Sequence, residues 1–480
     1  MTLKFRKTTC AALALCAARA ITLPAQTFST LQSLNNTDGA YPFAGLVQAT
    51  NGAFYGATYG GGANLQGAIF KITAGGSLTT VYNFCSQTNC TDGALARAGL
   101  IQHSNGNLYG TTEGGGANSR GTVYKITPAG ALTVLYSFCN PTSCADGSQP
   151  FAGLLQATNG NLYGTTESGG KYGFGTIFTI TPAGALTTLY SFCATTGCPD
   201  GASPTGVLIQ AGNGVFYGTT QSGGKSTSCG AYGCGTVFKF SGGGALTTLH
   251  SFCTKSGCPD GQNPAAGLLL ASNGNFYGTT MFGGPSNNGT IFEITPGGKL
   301  TTLYNFCSQN GCPDGQDPFA GLIQATDGNL YGATATGGAQ GYGTIFEITT
   351  SGVLTTLHSF VNTDGGGPDG TLVQATNGAF YGTTFGDGAF GYGTVFSLSV
   401  GLGPFVETLP TSGKAGAAVK ILGTGLAGAT SVTFNGTAAV FKVVSSSEIT
   451  TSVPAGATTG PVKVTTPRGT LSSNVPFQVR

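Results

Sequence analysis

The sequence predicts an all-β protein: a seven-bladed β-propeller closed by its N-terminal strand, followed by one small immunoglobulin-like β-sandwich. Three observations carry this. The phrase A-G-L-[IVL]-Q-A-x-[ND]-G-x-[LF]-Y-G-[TA]-T recurs seven times, its tyrosine falling at Tyr55, Tyr109, Tyr163, Tyr217, Tyr277, Tyr331 and Tyr381, with spacings of 54, 54, 54, 60, 54 and 50 residues. That period suits propeller blades. Glycine makes up 83 of the 480 residues, only 8% are charged and tryptophan is absent, as expected of many short strands joined by glycine-dependent turns. Beyond the extreme N-terminus, no run of ten or more residues shows the 3.6-residue apolar period of a helix.

The N-terminal exception reads as a signal peptide over 1–26. Lys4, Arg6 and Lys7 form its basic region, Thr8 to Ala18 its apolar run and Ala18-Arg19-Ala20 a small-residue cleavage site, with cleavage after Ala25 or Gln26 as the alternative. The chain is therefore expected to be exported: secreted, at the cell surface or in the periplasm. No other segment reaches the length of a membrane-spanning helix. Removal of the leader leaves 15 Lys plus Arg against 17 Asp plus Glu. That balance offers no basic field for nucleic acid or for an anionic membrane.

Residues 27–400 form the repeat region. Each repeat reads as four strands, as in Gly153 to Ala157, Asn161 to Thr166, Gly175 to Thr181 and Leu186 to Phe192. Asn159-Gly160 is expected to make a type I′ hairpin turn between the first two strands, and Pro182-Ala183-Gly184 to turn the third into the fourth. The seventh repeat stops after its third strand, Gly393 to Val400. The missing strand lies at the other end of the repeats, where Phe28 to Leu34 resembles Leu186 to Phe192. Pairing the two ends removes two open sheet edges.

These repeats resemble the GloVer tandem repeats of bacterial exported proteins over roughly 28–400, and Asp327-Gly328-Asn329-Leu330-Tyr331-Gly332 is also similar to sensor-type propeller repeats. The resemblance implies the architecture and assigns no chemistry.

Twelve cysteines remain after the leader, in six C-x4-C pairs: Cys85 with Cys90, Cys139 with Cys144, Cys193 with Cys198, Cys229 with Cys234, Cys253 with Cys258 and Cys307 with Cys312. In an exported chain this even count reads as local disulfides. Paired thiols can also hold zinc, but that needs a second loop nearby, and histidines are few. The fourth-to-first and second-to-third loops that carry the pairs share one propeller face, which is thereby stapled. Such short closures are expected mainly to restrain their own loops.

A catalytic group should stand alone in an internal alignment, whereas a structural one recurs. His250 and His358 replace a tyrosine of the fourth strand, and His103 replaces an alanine, so no histidine suggests a nucleophile–histidine machine. Asp38, Asp92, Asp146, Asp200, Asp260, Asp314 and Asp369 read as a recurrent Asp-Gly turn. Calcium is the alternative for these carboxylates, but they lack D-x-D-x-D spacing. Glu113 and Glu167 share a position after the second strand, and Glu293 and Glu347 share one in the third, without forming a convincing acid/base pair. Gly60-Gly61-Gly62 and Gly114-Gly115-Gly116 lack the Lys-Ser/Thr partner of a phosphate loop. No catalytic residue, metal or cofactor is expected. Repeat four carries a six-residue enlargement, Lys225 to Cys234. With Tyr172, Tyr232, Tyr342 and Tyr392 it makes the candidate binding-face loops, where tyrosines could stack on sugar rings.

Residues 401–480 change pattern. Val419-Lys420-Ile421-Leu422-Gly423, Val432-Thr433-Phe434-Asn435-Gly436, Val453-Pro454-Ala455-Gly456 and Gly460-Pro461-Val462-Lys463-Val464 resemble the IPT/TIG family. The resemblance implies an immunoglobulin-like fold of the E-set type. The whole reads as a binding or interaction protein of the cell exterior, with polysaccharide or another surface protein as partner. An enzyme of polysaccharide metabolism with a cleft on one propeller face is the alternative, and a structural envelope protein the second alternative.

Overall fold

A computed structural model describes residues 26–140, 143–230 and 232–480; the leader expected over 1–26 lies almost wholly outside them. Seven four-stranded antiparallel sheets form the blades, six from consecutive strands and the seventh from both ends of the repeat region. Blade 3 is representative, with strands Leu155–Gln156, Leu162–Thr166, Thr176–Ile180 and Leu186–Ser191. The second and third strands are buried on both faces because each blade is sandwiched between neighbours, and their Leu, Ile, Phe and Thr content suits that environment. The fourth strand has no fully buried residue and forms the outer edge.

Two expectations need correction. The first strand is two residues long, not five, because only Leu155 and Gln156 pair with the second strand and Ala157 already closes the turn through its bonds to Asn161 and Gly160. The Asn159-Gly160 turn is not type I′: only Gly160 has positive φ, at +84°. The Gly160 amide donates to Ala157 O at 2.9 Å and the Ala157 amide to Asn161 O at 2.9 Å, which is a type I turn followed by a left-handed glycine. The Asn159 side chain decides the matter. Its Oδ1 accepts from the Asn161 amide at 3.0 Å and its Nδ2 donates to Tyr163 Oη at 3.1 Å, holding the loop in the wider form.

Tight blade packing explains the glycine in the middle of each second strand. A Cβ on Gly164 would lie 2.6 Å from Phe178 Cζ and 2.9 Å from Leu154 Cδ2. The ring closes as expected: Thr27–Ser33 pairs antiparallel with Thr394–Ser399, Phe28 opposite Leu398. Phe28 stacks on His358 with ring centroids 3.7 Å apart. A second latch runs from blade to blade, in which a first-strand glutamine accepts a backbone N–H of the preceding blade. Thr50 N bonds Gln102 Oε1 at 2.8 Å, and Thr376 N bonds Gln48 Oε1 at 2.9 Å, joining blade 7 to blade 1. At the joint of blades 4 and 5, Leu270 occupies the glutamine position.

The C-terminal sandwich packs one sheet of Val406–Leu409, Ala418–Gly423, Glu448–Ser452 and Phe441–Val443 on another of Thr437–Ala438, Ser431–Phe434, Val462–Thr466 and Gly469–Ser472. Val406, Ile421, Phe434, Ile449, Val464 and Phe477 fill its core. It rests on the propeller face formed by the first-to-second turns. Ser447 Oγ donates to Thr50 O at 3.1 Å, Thr424 and Thr376 share a hydroxyl bond of 2.9 Å, and Arg480 Nη1 donates to Thr158 O at 2.9 Å. A cavity of about 560 Å³ separates Gln324 and Ser272 of blades 6 and 5 from Thr470 and Asn474. The opposite, stapled face is left uncovered by this domain.

Candidate functional site

All six expected cysteine pairs are disulfides: Cys85 bonds Cys90, Cys139 bonds Cys144, Cys193 bonds Cys198, Cys229 bonds Cys234, Cys253 bonds Cys258 and Cys307 bonds Cys312. Their role needs correction, because five of them do more than restrain their own loops. The carbonyls of Cys90, Cys144, Cys198, Cys258 and Cys312 each accept two backbone N–H groups, at 2.8 to 2.9 Å. One donor is the glycine of the nearby Asp-Gly, such as Gly201 for Cys198; the other is a glycine of the next blade's second-to-third loop, such as Gly224. To present its carbonyl this way, each of these five cysteines adopts left-handed backbone, with φ from 47° to 53°. That conformation is uncommon for a residue with a Cβ. The disulfide therefore helps fix a joint between blades, a role that the spacing of the cysteines alone does not reveal.

The Sγ atoms of Cys229, Cys234 and Cys253 lie within 4.8 Å of one another, so the enlarged loop of blade 4 does bring a second pair beside the first. Bonded as disulfides, these sulfurs are not thiolate ligands. The Asp-Gly carboxylates secure the same loops from inside. Asp200 accepts from Tyr190 Oη at 2.8 Å and from the Cys193 amide at 3.0 Å. His250 and His358 take the place of that tyrosine, reaching Asp260 at 2.8 Å and Asp364 at 3.0 Å. His103 Nε2 meets Gly160 O at 3.0 Å.

The pairing of His358 with Asp364 corrects the aspartate series. Its member in blade 7 is Asp364, followed by Gly365, and Asp369 belongs to another position altogether. That position immediately precedes the A-G-L phrase. Around the ring it reads Phe43, Arg97, Phe151, Thr205, Ala265, Phe319 and Asp369, and all seven residues line an axial cavity of about 330 Å³. Where most repeat positions vary conservatively, this one holds a cation, an anion, three rings and two small side chains. The cysteines frame the same face without lining this cavity: Cys90, Cys144, Cys198, Cys258 and Cys312, like their partners, stand outside its wall.

Arg97 is the centre of the site. Its guanidinium carbon lies 4.2 Å from the Phe43 ring centre and 4.3 Å from that of Phe151, a cation sandwiched between two aromatic faces. Among the described residues, no carboxylate comes within ion-pair distance of it. Burial pulls its pKa down from the ordinary value, while the fields of Glu113, Glu167, Tyr59 and Asp369 act in the opposite direction. The acids respond in kind. Burial raises Glu113 and Glu167, with Arg97 opposing in both cases and Glu167 adding to the rise at Glu113. Burial pushes Asp369 up to about 7 against the pull of Arg97. Glu113 Oε2 is buried without a hydrogen-bond partner, as are single oxygens of Asp146, Asp200 and Asp314 in the loop carboxylates.

An aromatic path leads from this pocket to the rim. Phe43 contacts Phe385 at 4.5 Å, Phe385 contacts Tyr41 at 5.1 Å, and Tyr41 meets Tyr392 edge-on at 5.9 Å. The sequence-derived loop residues fall into two groups. Lys225, Tyr172 and Tyr232 are exposed, the tyrosines by 39% and 53%, and Tyr232 packs against Phe174 at 5.1 Å. Tyr342 and Tyr392 are half-buried at blade joints, their carbonyls accepting from the Gly367 and Tyr41 amides. Sequence reasoning missed Arg97 and the ring position; reading the residue before each A-G-L phrase down the internal alignment would have exposed both.

Fold and site together define a closed, disulfide-stapled seven-bladed propeller with a charged axial pocket on its open face. The chain belongs to the Gloeobacter/Verrucomicrobia repeat family, whose model matches 19–230 and 224–439, and it carries an IPT/TIG domain at 405–479. No curated protein matches it. Among solved structures it is similar to a gluconolactonase from Xanthomonas campestris (15% identity, TM-score 0.39, covering 75% of this chain and 96% of that one). A putative 6-phosphogluconolactonase from Bacteroides fragilis matches at 17% identity and TM-score 0.42, covering 73% and 89%. A luciferin-regenerating enzyme matches at 11% and 0.40, covering 79% and 98%.

Proposed function

We propose that the chain is an exported binding protein that takes up carbohydrate on the stapled face of its propeller, with the axial pocket as the recognition site and the IPT/TIG domain as spacer or docking module. One observation carries this: near-identical blades diverge sharply at the ring position that lines the axial cavity. The fold places the same backbone at all seven sites, and divergence in charge and size at that position supports a ligand-facing role. Rings beside carboxylates and an arginine are what sugar hydroxyls and C–H faces engage. Export is supported by six disulfides, which persist in oxidising compartments. Among the described residues, no helix is long and apolar enough to cross a membrane.

An enzyme of polysaccharide metabolism is the second reading, favoured by the raised pKa values of Glu113, Glu167 and Asp369 beside one pocket. A glycan array probed with the full exported chain tests the first reading, and hydrolysis or lyase assays on the glycans that bind test the second. Turnover that disappears in Glu113→Gln, Glu167→Gln or Asp369→Asn while binding persists would replace the binding reading with the enzymatic one. An array without any bound glycan would overturn both.

A further inference from the structure

The Arg97 guanidinium is held by its faces and left open at its edges. Stacking between Phe43 and Phe151, at 4.2 and 4.3 Å, occupies the two π surfaces. The five N–H donors lie in the guanidinium plane and are not used by stacking. Among the described residues, none of these donors meets an acceptor at hydrogen-bond distance and no carboxylate forms an ion pair with them, although the side chain is half-buried in the wall of the axial cavity. A half-buried cation whose donors have no protein partner is costly, and an acceptor brought by a ligand offsets that cost.

We infer that the axial pocket selects a ligand bearing a single carboxylate, a sugar acid at the end of a glycan, and that the edge of Arg97 receives this carboxylate in a two-pronged hydrogen bond. The inference rests on the carbohydrate reading above and names the sugar class. Three features argue for it. A planar fork of donors matches a planar carboxylate better than it matches any neutral sugar hydroxyl. Among the described residues, Asp369 is the one carboxylate in the cavity wall and Glu113 and Glu167 stand outside it, so a singly charged ligand meets Arg97 with one acid at hand, and a ligand of higher charge meets more repulsion from that acid. At about 330 Å³ the cavity falls at the lower end of small-ligand pockets, roughly 300–1,000 Å³, and the IPT/TIG domain lies across the other face of the disc. That geometry suits a chain end rather than a polymer threaded through the axis. Phe319 lines the same cavity and, among the described residues, has no cation stacked on its ring, which leaves an aromatic side chain for the sugar to contact.

The test compares three probes on the full chain by calorimetry: a glucuronate-terminated disaccharide, its carboxyl-reduced glucose counterpart and a 6-sulfated glucose counterpart. The wild type is expected to bind the uronate at least tenfold more tightly than the reduced sugar, and Arg97→Gln to bring that ratio close to one. A tenfold ratio corresponds to about 1.4 kcal/mol. Arg97→Lys keeps the charge between the rings without the fork and is expected to retain only part of the preference, which provides a reading should Arg97→Gln fail to fold. Equal affinity for uronate and reduced sugar, or a preference that survives in both variants, would overturn the carboxylate inference and leave the carbohydrate reading standing. Tighter binding of the sulfated probe would overturn it in favour of an oxyanion of a different kind. If other glycans on the array bind and none of these three does, the inference fails alone.

Discussion

Asp369→Asn isolates the electrostatics of the pocket in a single measurement. The carboxyl has an unfolded-state pKa of 3.8 and is pushed up to about 7 in the fold, mainly by burial. A group whose folded pKa is raised binds its proton more tightly in the native state. Its contribution to stability is therefore complete below pH 4 and is lost as the pH rises through about 7. At about 1.4 kcal/mol per pH unit, the interval sets an upper limit of ~4 kcal/mol on the cost of ionised Asp369 at pH 8. The side chain opens on the axial cavity, where water relieves part of this penalty, and a cost of about 1–3 kcal/mol is the expected range. Asparagine fills the same space without a charge. The variant should unfold roughly 1–4 °C higher than the wild type at pH 8, with the gap closing toward pH 4. Glu407, also pushed up to about 7 by burial, is present in both proteins and cancels from the difference. Thermal unfolding followed by circular dichroism from pH 4 to 8, with disulfides intact, measures the gap. A gap that is constant with pH, or a wild type more stable than the variant at pH 8, would refute the buried-carboxylate argument.

Two further predictions concern the frame that holds the pocket. Gly164→Ala should cost about 1–3 kcal/mol, because the new methyl would lie 2.6 Å from Phe178 Cζ; adding Phe178→Leu should recover part of that loss, and a double-mutant cycle by urea titration that shows simple additivity would count against direct contact. Gln102→Leu removes the 2.8 Å acceptor of the Thr50 amide and should lower stability by roughly 1 kcal/mol in the same titration. The loss should stay modest because the joint at Leu270 already does without this bond, and an unfolded protein would contradict the comparison.

Much of the architecture is legible because the sequence states it seven times. Strand pairing at the ends can be read from the likeness of Phe28 to Leu34 with Leu186 to Phe192, and the cysteine pairs from their C-x4-C spacing, five of them in a fixed place before Asp-Gly. What those pairs hold together is not legible, since the glycine that donates to Cys198 from the next blade, Gly224, lies 26 residues further along the chain. Other misreadings arise where a local rule competes with side-chain hydrogen bonding or with alignment. Asn-Gly suggests a two-residue turn, but the bonds of Asn159 to Asn161 and Tyr163 select a longer loop. Asp369 falls in with the turn aspartates because blade 7 has a shortened loop, which shifts the count by five residues from Asp364. Arg97 escapes notice because one arginine before Ala-Gly-Leu looks like surface drift until Phe43 and Phe151 are known to flank it. Contacts between blades are set by ring closure, and a linear alignment displays them only when the same column is compared across every repeat.

The circular seam has an implication for biogenesis. With Thr27–Ser33 waiting for Thr394–Ser399, a polypeptide delivered N-terminus first carries an unmatched strand until the last blade arrives. Every shorter product keeps a bare β-edge, the kind of surface that proteases and aggregation seek out. Intactness is thus checked by topology alone: only a polypeptide extending through Ser399 can hide both of its raw margins.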